Sequence, residues 1–185
     1  MLPLAFDLTG RAVLVIGAGV IGARKSSSLV AAGAKVTVIS REVLGDVPDG
    51  IANLEIRPYR NGDLEGFFLV ISATGNADVN DEIVAEASER SIWLNVVDDL
   101  ERSSFYFAAL HRQGDVVVSV STSGASPALA QEIRDRVAAS LPTDLGEIAN
   151  TLRAERTAIH AAGESTEDLN WRPRVRELLD RQQPS

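Results

Sequence analysis

The segment Gly17-Ala18-Gly19-Val20-Ile21-Gly22 limits what this chain can fold into more than any other feature. Its G-x-G-x-x-G pattern is weak evidence alone, because glycine-rich turns are common. Its surroundings make it specific. Ala12–Ile16 before it is short, apolar and β-branched, as in a strand buried on both faces. After it, helical spacing runs from Val20 to Ala32 and closes on Gly33. In a strand–loop–helix context each glycine has a task. Gly17 permits the tight turn, Gly19 lets a pyrophosphate approach the backbone, and Gly22 lets the helix pack closely on the strand. The free amides at the helix start, around Val20 and Ile21, supply the positive end of a dipole.

The same rhythm continues. Val36–Ile39, Leu54–Tyr59, Phe67–Ala73 and Ile92–Val97 read as strands, and Asp78–Arg90 as a helix. This alternation predicts a Rossmann-like, doubly wound parallel α/β sheet. The pattern then changes. Phe105–Leu110 and Val116–Ser121 are apolar stretches separated by a turn over His111–Asp115. A helix starts at Ser126-Pro127 and runs to Ser140, where Leu141-Pro142 breaks it. Leu145, Ile148, Leu152 and Ile159 predict a helix to Ala162, and Val175, Leu178 and Leu179 a last short one. The expected organisation is a nucleotide domain over 1–113, a dimerisation segment over 114–142 and a small helical domain over 143–185.

Composition removes several classes of function. With no Cys and two His, thiol catalysis, disulfides, iron–sulfur clusters and Cys-based zinc sites are excluded, and no metal site is expected. A net charge of −8 argues against duplex nucleic acid as a partner. No apolar run approaches the ~20 residues of a membrane span. The start has neither a basic region nor a long apolar stretch, so no secretory leader is expected.

Further candidates lie where the carboxyl ends of the strands should gather. At the end of the second strand, where a carboxylate would select NAD, stand Ser40-Arg41. Arg41 there suits a 2′-phosphate or is a solvated loop residue, so spacing alone leaves NAD and NADP open. Ala73-Thr74-Gly75-Asn76 with Asn80 forms one polar cluster, and Asn95-Val96-Val97-Asp98-Asp99 another. The paired carboxylates are either structural, or one is a general base. The cluster Ser121–Pro127, with Thr122, Ser123, Gly124 and Ser126, either binds an anionic group or is a helix cap.

Together these motifs resemble the precorrin-2 dehydrogenase family, which includes the N-terminal module of siroheme synthase and its fungal bifunctional counterpart. The likeness rests on Leu2-Pro3-Leu4, Gly17–Gly22 with Arg24-Lys25, Ala73-Thr74 with Val79-Asn80, Asn95–Asp98, Ser104-Phe105, and Ser121–Pro127 running into Ala128-Leu129-Ala130. It spans about residues 2 to 142. Two positions depart from the family pattern: Ala108 replaces a usual proline, and Gly75 a usual aspartate.

The resemblance implies NAD-dependent oxidation of precorrin-2 to sirohydrochlorin by a cytoplasmic homodimer whose post-nucleotide segment exchanges between protomers. Many members also insert ferrous iron into sirohydrochlorin, which the sequence leaves open here. Asp98 matches the family's catalytic aspartate, and Thr122 a serine that is phosphorylated in some members. Thr74 and Asn80 join the loop glycines, Ser40 and Arg41 as expected cofactor contacts. Asn95, Thr122, Ser123, Gly124 and Ser126 are the expected substrate contacts. The alternatives are a non-catalytic NAD(P)- or tetrapyrrole-binding regulatory module, and a different NADP reductase favoured only by Ser40-Arg41.

Overall fold

A computed structural model describes residues 2–180. The described residues divide into two compact units, with the division between Tyr106 and Phe107. The boundary expected at 113/114 falls at a hairpin tip within the second unit.

The first unit contains β1 (Ala12–Ala18), α1 (Val20–Ala31), β2 (Lys35–Val43), β3 (Asn53–Ile56), β4 (Leu69–Ser72), α2 (Ala77–Glu89) and β5 (Trp93–Val96). The strands form one parallel sheet in the order β3-β2-β1-β4-β5. Alternate residues of the strands feed two separate cores. Val13, Val15, Val36, Val38, Leu69 and Ile71 pack with Leu29 of α1. Leu14, Ile16, Ile39, Val70, Leu94 and Val96 pack with Ile83 and Ala87 of α2. The continuous apolar strand runs therefore reflect burial on both faces, as a doubly wound sheet requires. The order reverses at β1, which has β2 on one side and β4 on the other.

The β2–β3 and β3–β4 crossovers carry no helix, and the sequence pattern places none there. The second, Arg57–Phe68, is a series of turns held by the buried carboxylate of Glu86. That carboxylate accepts from the Tyr59 hydroxyl at 2.5 Å, from the amides of Gly62 and Leu64 at 2.9 and 3.2 Å, and from Arg90 at 2.9 Å. Burial alone would raise its pKa. The four donors outweigh burial and hold it below the ordinary value. At the amino ends of the strands, Phe6 packs on Phe68 and Trp93 with ring centroids 5.7 and 5.6 Å apart.

The second unit contains β6 (Ala109–Gln113), β7 (Val116–Val120), α3 (Pro127–Ser140), α4 (Leu145–Ala161) and α5 (Arg172–Asp180). The expected five-residue turn is shorter. β6 extends through His111, Arg112 and Gln113, and pairs Gln113 with Val116 around Gly114-Asp115. Gly114 at φ +57° supplies the positive angle a type II′ turn needs at its first central position. Helix α3 packs on both strands, and α4 contacts β7 and α5. Among the described residues, no helix is long and apolar enough to cross a membrane.

Candidate dinucleotide site

The loop between β1 and α1 lies where strand order reverses, the usual ligand crevice of an open parallel sheet. Gly17 has φ +104°, and a Cβ there would stand 2.4 Å from the Ala73 carbonyl oxygen on β4's outgoing chain. A Cβ on Gly22 would stand 1.9 Å from the Gly17 carbonyl oxygen. Both glycines are thus required by backbone packing. Gly19 differs: a Cβ there meets nothing within 4 Å. It is the N-cap of α1 and has no side chain to cap the helix. Open space, free first-turn amides and the dipole's positive end fit a pyrophosphate at this point. Val20 and Ile21 are exposed beside it.

Gly19→Ala and Gly22→Ala should therefore fail differently. At position 19 we expect a stability cost of about 1 kcal/mol or less, and NAD affinity lower by at least about tenfold, because the methyl occupies the ligand's approach. At position 22 the backbone collision should cost roughly 1–3 kcal/mol or more and abolish binding. Thermal melts paired with calorimetric NAD titrations check both. Undiminished NAD affinity in Gly19→Ala would refute this placement of the pyrophosphate.

β2 is longer than its apolar stretch suggests. It continues through Ser40, Arg41 and Glu42 to Val43, which pairs with Ala18 beyond a bulge. Ser40 closes this edge: its hydroxyl accepts the Ala18 amide at 3.0 Å and donates to the Glu42 carbonyl at 2.6 Å. The amides of Leu44 and Gly45 both donate to the Ala18 carbonyl at 3.0 Å. A Cβ on Gly45 would come within 2.8 Å of the Gly19 carbonyl oxygen. The chain leaving β2 is thereby clamped to the phosphate loop, and Arg41 stays exposed at its rim. Gly45 carries no sequence signal, since its role depends on a neighbour 26 residues earlier.

At the end of β4, Asn80 in the first turn of α2 gathers two hydroxyls. Its Oδ1 accepts from Ser72 at 2.6 Å and from Thr74 at 3.1 Å. Asn76 caps the same helix by accepting the Val79 amide at 3.1 Å. Thr74 and Asn80 are thus brought together beside Gly17, joined by the unforeseen Ser72.

At the end of β5 the two aspartates separate. The Asp99 amide donates to the Val96 carbonyl at 3.1 Å, closing a tight turn whose third residue, Asp98, has φ +61°. Aspartate tolerates that left-handed conformation better than most residues. Asp99 is structural: it accepts the amide and guanidinium of Arg102, which also pairs with Asp81 at 2.7 Å. Asp98 is exposed and makes no hydrogen bond with another described residue. Its charge acts on Lys25 of α1. Burial pushes the Lys25 ammonium down to about 8 and Arg24 adds to that, while Asp98 opposes both. Asn95 is buried, and its amide donates to the Phe105 carbonyl at 3.0 Å, fastening the following loop to β5.

The other expected substrate contacts lie in the second unit. Ser123 at φ +53° and Gly124 at φ +84° form the centre of a type I′ turn, closed by the Ala125 amide on the Thr122 carbonyl at 3.0 Å. The Thr122 hydroxyl accepts the Ser126 amide and donates to the Ser126 carbonyl, and the Ser126 hydroxyl caps α3 through the Leu129 amide. Ser123 and Gly124 are exposed.

Comparison with known proteins agrees with these two regions. Residues 4–109 match the family model of an NAD(P)-binding domain, and residues 113–140 that of the sirohaem biosynthesis protein central segment. The chain is 35% identical over 182 residues to a siroheme synthase of Photorhabdus laumondii, covering 96% of this chain and 35% of that protein. It is 39% identical over 151 residues to one of Tolumonas auensis, covering 80% and 32%. The chain therefore spans about a third of the length of these curated relatives. Its fold is like that of the solved structure titled SirC, precorrin-2 dehydrogenase, with TM-score 0.73 and 23% identity over 98% of this chain and 88% of that one. With the loop glycines placed at the reversal of strand order, the chain belongs to the NAD(P)-binding family, joined here to the central segment of sirohaem biosynthesis proteins.

Proposed function

We propose that this chain oxidises precorrin-2 to sirohydrochlorin with NAD as the hydride acceptor. The observation that carries the reading is Asp98. It is an exposed carboxylate with no hydrogen-bond partner among the described residues, held in a left-handed turn two strands from the phosphate loop. The names of the siroheme synthase relatives and of the solved SirC structure support the same reaction. Extending conjugation in the macrocycle removes one hydride and one proton. When bound, the dinucleotide takes up the hydride. Asp98 accepts the proton, and Asp99, engaged by Arg102, does not compete for it. Lys25 brings a positive charge to Asp98 from α1. The Asn95 amide, by holding the loop after β5, keeps the Asp98 turn in place.

The assay is direct: precorrin-2 with NAD should yield sirohydrochlorin and NADH together. No turnover with either NAD or NADP would overturn the reaction, and turnover with NADP alone would overturn the cofactor choice. Metal insertion into sirohydrochlorin needs a base and the macrocycle's own nitrogens, with ferrous iron as substrate. Asp98 is the carboxylate available for it, and sirohydrochlorin with cobaltous ion and no NAD reads that step separately. The contacts assigned to Thr122, Ser123, Gly124 and Ser126 belong to this reading, as does a cytoplasmic location.

The reading includes a homodimer built on the second unit. A two-stranded hairpin is marginal by itself. One face of β6–β7 leaves Leu110 48% and Val117 41% exposed, although both are large and apolar. We expect the protein to sediment as a dimer, and Leu110→Asp with Val117→Asp to shift it to monomer. A monomeric wild type would overturn the assembly.

A further inference from the structure

Ser72 has one feature the reaction does not explain. It ends β4 beside Ile16 of β1, is 1% exposed, and spends its hydroxyl proton on a side chain eight residues away. The acceptor, Asn80 Oδ1, also takes the Thr74 hydroxyl. Thr74 itself accepts the Asn76 amide at 3.2 Å, and its proton finds Asn80 Oδ1 at 3.1 Å, nearer than the Asn76 carbonyl at 3.4 Å. Two O–H donors on one oxygen fix the amide's orientation: Oδ1 faces β4, and Nδ2 faces away with both hydrogens unspent among the described residues. Helix capping does not require this arrangement, because Asn76 already caps α2. The unspent N–H groups of this half-buried amide reach the surface, where they are available to a ligand acceptor.

Sheet order indicates which part of the ligand that is. Ser40 and Arg41 at the β2 end flank the loop on the adenosine side. A dinucleotide whose pyrophosphate lies over Gly19 places its other half over β4, on the opposite side of β1. We propose that Ser72 is a positioning residue: with Thr74 it locks the Asn80 amide so that Nδ2 donates to the nicotinamide half of a bound dinucleotide. The inference rests on dinucleotide binding at this loop but not on the identity of the oxidised substrate. It deepens the cofactor part of the proposed function.

The test is binding without any tetrapyrrole. Calorimetric titration with NAD and with ADP is carried out on wild type, Ser72→Ala, Asn80→Ala and the double variant, with thermal melts alongside. ADP lacks the half that Asn80 addresses. Ser72→Ala and Asn80→Ala should each weaken NAD by roughly three- to tenfold, the range expected for one hydrogen bond. ADP affinity should stay within about twofold, because its own contacts are untouched. The double variant should lose no more than Asn80→Ala, since Ser72 acts through that amide. Equal weakening of NAD and ADP would show general damage to the loop and overturn the assignment. Additive losses would show that Ser72 acts by another route. Unchanged NAD affinity in Asn80→Ala would remove the donor role altogether. A wild type that binds neither nucleotide would refute the dinucleotide site itself, whereas one that binds NAD but leaves precorrin-2 unchanged refutes only the reaction.

Discussion

Asp98→Asn should lower turnover of precorrin-2 by about a hundred- to ten-thousandfold, the range for loss of a positioned general base. Asparagine keeps the size of the side chain and tolerates the φ of +61° found at this position. The turn should therefore persist, and NAD affinity should remain within about twofold of wild type because the phosphate loop is untouched. Asp99→Asn is the internal control. It weakens the grip on Arg102 without removing the proposed base, so a loss of no more than about fivefold is expected. Initial rates of NADH formation, measured beside NAD titrations, separate the two. Equal losses at 98 and 99 would mean that the turn as a whole matters, and that neither carboxylate accepts the proton.

Removing Glu86 should give the largest loss of stability. Glu86→Ala leaves the Tyr59 hydroxyl, the Gly62 and Leu64 amides and the Arg90 guanidinium without their shared acceptor. Breaking such a buried charged network costs roughly 3–5 kcal/mol. The pH dependence follows from its depressed pKa. Its stabilisation is complete above the unfolded value of 4.5 and is lost as pH falls through the lower folded value. Melts of wild type and Glu86→Gln should therefore differ most near neutrality and converge in acid. A gap that stayed constant down to acid pH would show that the charge contributes nothing. The Arg57–Phe68 crossing leads directly into β4, so this carboxylate also supports the strand that ends in Ser72.

Much of the first unit was legible because its signals are local. Val13–Ile16 is apolar at every position since both faces of β1 are covered, and Gly17 and Gly22 mark contacts within one strand–turn–helix. Gly33 at φ +80° ends α1 near where the pattern predicted. The misreadings come from long-range pairing. Ser40–Glu42 is polar and reads as loop, yet it is strand because Val43 beyond it finds Ala18. His111–Gln113 reads as a turn, yet Val116–Val118 pairs with it and leaves only Gly114-Asp115 to reverse the chain. No helical period lies between β2 and β4, and the structure has no helix there; the buried glutamate on α2 that organises the second crossover leaves no local signal.

The candidate site divides in the same way. By itself the sequence determined the phosphate loop, the parallel sheet around it and the pair of aspartates after β5, because glycine conformation and hydrophobic period act over a few residues. Only the tertiary structure decided between Asp98 and Asp99, tied Ser40 to the phosphate loop, set Gly45 against Gly19 and aimed Asn80 through Ser72. Those outcomes depend on which hydroxyl, amide or carbonyl arrives from another strand, and that is fixed by sheet order and register rather than by neighbouring residues.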